Sequence, residues 1–259
     1  MSMYDTFSSD YDRFVSWPGR LAAELPFLEE HLRAAGGPAA RVLDAACGTG
    51  MHTIALAEHG FIASGSDLSA AMIERARYNA NQAGATVDWR VAGFVQLAQV
   101  FIDRAGRFDA VVCLGNSLPH LLTPAALAAA LADFAACLRP GGRLIVQNRN
   151  FDAVMAARER WMEPQSQREG EQEWLFLRFY DYEPDGLINF NIVTLHRQDA
   201  SAGWQQSVSS TRLYPLRQAD LLPALKAAGF DKLQTYGGLN GQPFAADSSG
   251  NLVVVAERQ

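Results

Sequence analysis

One ten-residue stretch, Arg41 to Gly50 (RVLDAACGTG), constrains this chain more than any other. Val42, Leu43 and Asp44 read as the end of a buried parallel strand. Cys47-Gly48-Thr49-Gly50 reads as a tight loop opening a helix near Met51. Glycine at 48 and 50 removes the Cβ, so the chain can turn sharply and a ligand can lie against bare backbone. A strand, loop and helix in that order put a ligand at the carboxyl end of the sheet, beside the helix N-terminus. A second apolar run, Phe61-Ile62-Ala63, closes on Asp67, 17 residues after Gly50. An acid there can accept hydrogen bonds from both hydroxyls of a ribose. A dinucleotide-binding fold would carry a third glycine three residues after the second, to pack its helix over a pyrophosphate. Thr53 stands at that place.

The chain has 259 residues, enough for one large domain or a domain with a cap. Hydrophobic residues make up 49%, which permits a sizeable core, and the net charge of −6 argues against a nucleic-acid partner. No apolar run is long enough to span a bilayer. The N-terminus has neither a basic n-region nor an apolar h-region, so a cytoplasmic location is expected. Cys47, Cys113 and Cys137 lie in apolar or glycine-loop contexts and read as small side chains of a reducing compartment. Neither they nor the five histidines show metal-ligand spacing.

Residues 1–17 are polar and aromatic and read as an arm over the ligand site, followed by a helix from Gly19 to Ala35 that Pro26 should kink or split. From 40 to 148 strands and helices alternate, which implies a parallel sheet covered on both faces. Strands are expected at Val87–Val91, Phe108–Leu114 and in the LIVQ run that follows the turn Arg139-Pro140-Gly141-Gly142. Helices are expected at Ala70–Ala83 and Pro124–Leu138. Beyond a helix at Phe151–Trp161 the chain turns β-rich, with runs at Trp174–Tyr182, Leu187–Arg197 and Trp204–Tyr214, the first two joined by the turn Glu183-Pro184-Asp185-Gly186. A helix at Gln218–Ala228 and strands near Lys232–Tyr236 and Leu252–Val255 complete the sheet. This implies an arm and helix at 1–39, a core at 40–150 and 216–259, and a cap at 151–215.

Asp44-x-x-x-Gly48-x-Gly50 with the distal Asp67 resembles the class I S-adenosylmethionine-dependent methyltransferases. Gly115-Asn116-Ser117-Leu118-Pro119-His120-Leu121 is similar to the G-N-S-x-x-H-L loop of the glycine/sarcosine N-methyltransferase group. Arg149-Asn150-Phe151-Asp152 is similar to that group's R-N-Y-D segment. Tyr11, Arg20 and Tyr214-Pro215 find counterparts at similar separations, whereas most of 153–210 finds none. The resemblance implies a Rossmann-like, seven-stranded, mostly parallel sheet with helices on both faces and a β-rich cap inserted after strand five. It implies S-adenosyl-L-methionine as cofactor, lined by Ala46, Gly48, Gly50 and Leu114, with Asp67 on the ribose and Leu68 by the adenine. Arg20 would pair with the methionyl carboxylate and Tyr11 would close over it. Asn116 and Arg149 would face a small-molecule acceptor, with Tyr214 near the transferring methyl. Many relatives place an acid after strand three; here Gly93 and Phe94 stand there and would contact the adenine instead.

Methyl transfer from a sulfonium is an in-line displacement that needs a positioned neutral nucleophile and exclusion of water. An amine acceptor needs no strong base, and Asn116 and Tyr214 suit it; a guanidinium at Arg149 suits an acceptor carboxylate. The expected reaction is therefore methylation of the nitrogen of an amino acid or related amine. An O- or C-methyltransferase, using His120 as base, and a non-catalytic cofactor-binding protein are the alternatives. Each residue also has a plainer reading. Asn116 serves as a turn residue, His120 as a structural histidine, Arg20 as a solvated helix charge and Arg149 as the partner of Asp152 or Glu159. The aromatic run Trp174, Phe176, Phe179, Tyr180 and Tyr182 reads as sheet packing rather than a cation cage.

Overall fold

A computed structural model of the chain describes residues 15–104 and 106–259. Helix α1 (Trp17–Gly36) leads into β1 (Arg41–Ala45), followed by α2 (Met51–Glu58), β2 (Ile62–Asp67), α3 (Ala70–Ala83), β3 (Asp88–Val91) and the single turn α4 (Leu97–Val100). Next come β4 (Phe108–Cys113), α5 (Pro124–Cys137), β5 (Leu138–Arg149) and α6 (Phe151–Ala157). Strands β6 (Gln165–Glu169), β7 (Gln172–Tyr182), β8 (Ile188–Arg197) and β9 (Gln205–Leu213) precede α7 (Gln218–Ala227), β10 (Phe230–Tyr236) and β11 (Asn251–Arg258).

The large sheet has seven strands in the order β10-β11-β5-β4-β1-β2-β3. It is parallel except at β11, which runs antiparallel to both β5 and β10. Alternate residues feed opposite cores. Val111, Leu144 and Val146 join one buried cluster with Phe134 and Leu225, while Ala110, Val112 and Ile145 join another with Leu28 and Leu32. A sheet buried on both faces explains why its strands read as continuous apolar runs. Strand order reverses between β1 and β4, the topological switch point beside which such sheets bind ligands.

The helices start where their caps direct. Ser69 accepts the Met72 N–H, Thr123 the Ala126 N–H, and Asn150 those of Asp152 and Ala153. Pro26 does not split α1, which runs unbroken from Trp17 to Gly36. The carbonyl it leaves without a helical partner, that of Ala22, lies with Pro26 on the exposed face, where water can serve it, while Leu25, Leu28 and Leu32 hold the helix to the sheet. Strand β5 begins earlier than the LIVQ run. Phe108 pairs with Leu138 and Ala110 already with Arg143, so the Arg139–Gly142 turn is an excursion within the strand.

Between α6 and α7 lies a four-stranded antiparallel sheet, β6-β7-β8-β9. Its first strand went unpredicted because QSQRE is polar and exposed throughout, leaving no alternation to read. Helix α6 also stops at Ala157 rather than running to Trp161, which instead bridges Phe179. Among the described residues, no helix is long and apolar enough to cross a membrane.

Candidate active site

At the carboxyl ends of β1, β2, β3, β4 and β5 opens a cavity of about 1120 Å³, closed on one side by the small sheet and on another by α1. The loop after β1 forms its floor. Ala46 and Gly48 are left-handed, at φ 65° and 56°, and the Cys47 N–H donates to the Ser66 carbonyl at 2.9 Å. Asp67 ties this loop to the next, since one carboxylate oxygen accepts the Gly48 N–H and the other the Ser69 N–H, both at 2.9 Å. Strain gathers here. Of the five described non-glycine residues at positive φ, Ala46, Val95 and Asn116 all line the cavity.

Gly50 does not line it. A Cβ there would point at the Trp89 ring, 2.5 Å away, and at Ala76, so this glycine serves packing of α2 and the sheet rather than a ligand. At the floor, Asp44 accepts the Thr53 hydroxyl at 2.6 Å. Thr53, where a dinucleotide fold would have its third glycine, thus satisfies a buried acid. Burial pushes the Asp44 carboxyl up to about 6, against the opposing hydrogen bond from Thr53.

On the α1 wall, Arg20 Nε sits 3.1 Å from both oxygens of Glu24, which also meets His52 Nε2 at 2.6 Å. Burial raises the Glu24 carboxyl, but the contacts with His52 and Arg20 outweigh it and leave Glu24 below the usual range. Trp17 packs edge-on against His52, with ring centroids 5.4 Å apart. Sequence reading found Arg20 but missed Glu24 and His52, although Glu24 stands four residues on, over the same helix face.

The opposite wall comes from β4, β5 and the small sheet. The Asn116 N–H reaches the Gln147 carbonyl at 3.1 Å, and its side-chain carbonyl accepts the Arg149 N–H at 2.9 Å. Gln147 supports the loop again by accepting the Gly115 N–H at 2.7 Å. Arg149 lines the cavity and is exposed. His120 is inside, and burial lowers its imidazole to about 4, which keeps it uncharged at neutral pH. Tyr214 is elsewhere. Leu213 turns inward at the end of β9, so Tyr214 falls on the other side, packed on the main core near Asp220 and Arg217. The phenol that does enter is Tyr180, with its hydroxyl pushed up to about 12 by burial. Leu68, Gly93, Phe94 and Leu114 also line the cavity, whereas Tyr11 lies outside the described residues.

Residues 42–142 match a family described as a methyltransferase domain. A glycine/sarcosine N-methyltransferase from Aphanothece halophytica is 33% identical over 240 residues, covering 89% of this chain and 80% of that protein. The chain belongs to the class I S-adenosylmethionine-dependent methyltransferases. A second relative, the glycine/sarcosine N-methyltransferase of Halorhodospira halochloris, is 29% identical over 98% of this chain and 88% of its own length. An S-adenosylmethionine-dependent methyltransferase from Clostridium acetobutylicum shares the fold, with a TM-score of 0.78, 18% identity and 98% coverage of both chains.

The cofactor of this methyltransferase is S-adenosylmethionine, and the residues at the floor suit its chemistry. Asp67 offers a carboxylate in the floor, and Arg20, its side chain 23% exposed, a guanidinium whose described bonds use only Nε. Leu68, 71% exposed, leaves an apolar face in the cavity. The volume exceeds the roughly 300–1,000 Å³ usual for one ligand, so a cofactor and a small acceptor have room together.

Proposed function

We propose that this methyltransferase methylates the nitrogen of a small amino acid or related amine. The observation that carries the reading is the kind of group on the acceptor side. Arg149, an uncharged His120 and the protonated phenol of Tyr180 line it, a set that can hold an acid group and a neutral amine. Oxygen or carbon methylation asks for a base, and a histidine titrating near 4 is a weak one. An amine becomes nucleophilic by losing its proton to solvent, so the protein need only hold it.

S-adenosylmethionine, when bound, supplies an electrophilic methyl on a sulfonium. Asp67 would accept hydrogen bonds from the ribose hydroxyls, with Leu68, Gly93 and Phe94 flanking the adenine. Arg20 would hold the methionyl carboxylate, and Ala46, Gly48 and Leu114 would present backbone. Arg149 would grip the acceptor carboxylate, while Asn116 aims the strand end that carries it. In this reading residues 151–215 form the acceptor cap. Positioning and exclusion of water then supply most of the rate.

The test is S-adenosylhomocysteine release with amino acids, neutral amines, alcohols and carboxylic acids, repeated with Arg149→Lys. An ammonium cannot reproduce the two parallel donors of a guanidinium. With the side chain exposed, the substitution should cost about 1.5–3 kcal/mol of acceptor binding, a roughly ten- to hundredfold rise in apparent KM, with cofactor affinity nearly intact. Preferred turnover of a hydroxyl compound, or equal turnover by parent and variant, would overturn the reading.

A further inference from the structure

A second guanidinium enters the same cavity from the small sheet. Arg178 on β7 pairs with Ile192 on β8, and Tyr180 with Phe190. With a side-chain period of two, these four residues share one face of the sheet, and all four line the cavity. Asp181, the acid next to them, points to the opposite face, where it binds Arg160 at 2.7 Å and Asn191 at 2.9 Å. Among the described residues, the acids that line the cavity, Glu24, Asp44 and Asp67, come from α1, β1 and β2, the side assigned to the cofactor.

The two arginines differ in setting. Arg149 is exposed at the end of β5, whereas Arg178 is half-buried. Burial lowers the Arg178 guanidinium, and the charge of Arg149 lowers it further, while the Tyr180 hydroxyl feels both cations. Bringing two like charges into one partly desolvated compartment costs free energy that a ligand of opposite charge recovers. An apolar residue would fill the Arg178 position beside Ile192 and Phe190 without that cost.

We propose that Arg178 is a second acceptor-binding residue, and that the preferred acceptor is an amino acid bearing two acid groups, one held by Arg149 at the rim and one by Arg178 within. This rests on the amine reading above and deepens it. The specificity follows from charge rather than size, so the discriminating acceptors are isosteres that differ only in charge.

The experiment measures S-adenosylhomocysteine release by the full chain with aspartate against asparagine and glutamate against glutamine, with glycine and sarcosine as single-acid acceptors. Each diacid should exceed its amide by at least about tenfold in kcat/KM, the scale of one charged hydrogen-bonded contact. Arg178→Gln should pull that ratio toward one, chiefly through KM, whereas Arg149→Gln should impair every acid. Because Arg178→Gln can also disturb the cap, the parent protein supplies an independent measurement. Succinate or glutarate should compete with the acceptor at least about tenfold better than propionate or butyrate, by the same arithmetic. Equal turnover of acid and amide, equal competition by mono- and dicarboxylates, or an unchanged ratio in a folded Arg178→Gln variant would each overturn the proposal. Single-acid amines that transfer in an Arg149-dependent way with no diacid preference would sink this inference alone. Methylation of hydroxyl compounds instead of amines would sink both it and the amine reading.

Discussion

Asp67 ties two loops together and is placed to serve the proposed ribose contact as well. Its oxygens already take the Gly48 and Ser69 N–H groups, so the carboxylate is oriented before any ribose arrives. Asp67→Ala removes a charged acceptor and should weaken cofactor binding by about 1.5–3 kcal/mol, read by calorimetry on the folded variant. Unchanged affinity would remove Asp67 from the site. Its place in the cavity was legible because it sits a short way along the chain from the loop it braces. Glu24 and Arg178 were not, since their significance depends on His52 28 residues away and on a cap strand facing a distant loop. Tyr214 was expected near the methyl from the resemblance alone, and it lies just past the end of β9, packed on the main core and outside the cavity lining.

Among the elements, β2 and β3 depend on a fit that composition does not reveal. Trp89 pairs in register with Gly65, and its ring covers both Gly65 and Gly50 within the cluster of Ile54, Ile73 and Ala76. A methyl group at Gly65 would collide with that ring, so Gly65→Ala should cost about 1–3 kcal/mol, seen as a lower denaturation midpoint in urea. A variant as stable as the parent would show that the indole can move aside. The core strands were readable as apolar runs because both faces of the sheet are covered. Strand β6 was invisible because neither of its faces is. Pro26 does not split its helix, because it and Ala22, whose carbonyl would lose its helical partner, both lie on the exposed face where water can serve that group.

The whole molecule carries a buried acid whose ionisation opposes folding. Asp44 is raised from 3.8 to about 6, so the folded state binds its proton more tightly than the unfolded chain does. Its contribution is fully present below about 3.8 and is lost as pH rises through about 6. At about 1.4 kcal/mol per pH unit, roughly 3 kcal/mol is at stake, and Asp44→Asn should remove that slope. The stability of the variant relative to the parent should therefore rise between pH 4 and 7 by about that amount, measured as paired urea titrations. Parallel pH profiles would mean that Asp44 titrates normally. The seven-stranded sheet with an inserted antiparallel cap was legible from the alternation of elements and the turn at Glu183–Gly186, because both signals are local.

The bond from the Asn116 side chain to the Arg149 backbone joins the ends of β4 and β5 inside the large sheet, with no contribution from the cap. Its consequence is a division of labour between aiming and choosing. Under the proposed reading, the loop through Leu114, beside the cofactor, and Arg149, which would receive the acceptor, are braced to each other at the spacing of neighbouring strands. That spacing would then fix the line of attack. The inserted strands bring Arg178 and Tyr180 to the same space from outside this brace. Rebuilding the insert can therefore change which molecule is admitted while the trajectory along which the methyl travels stays where the sheet has set it.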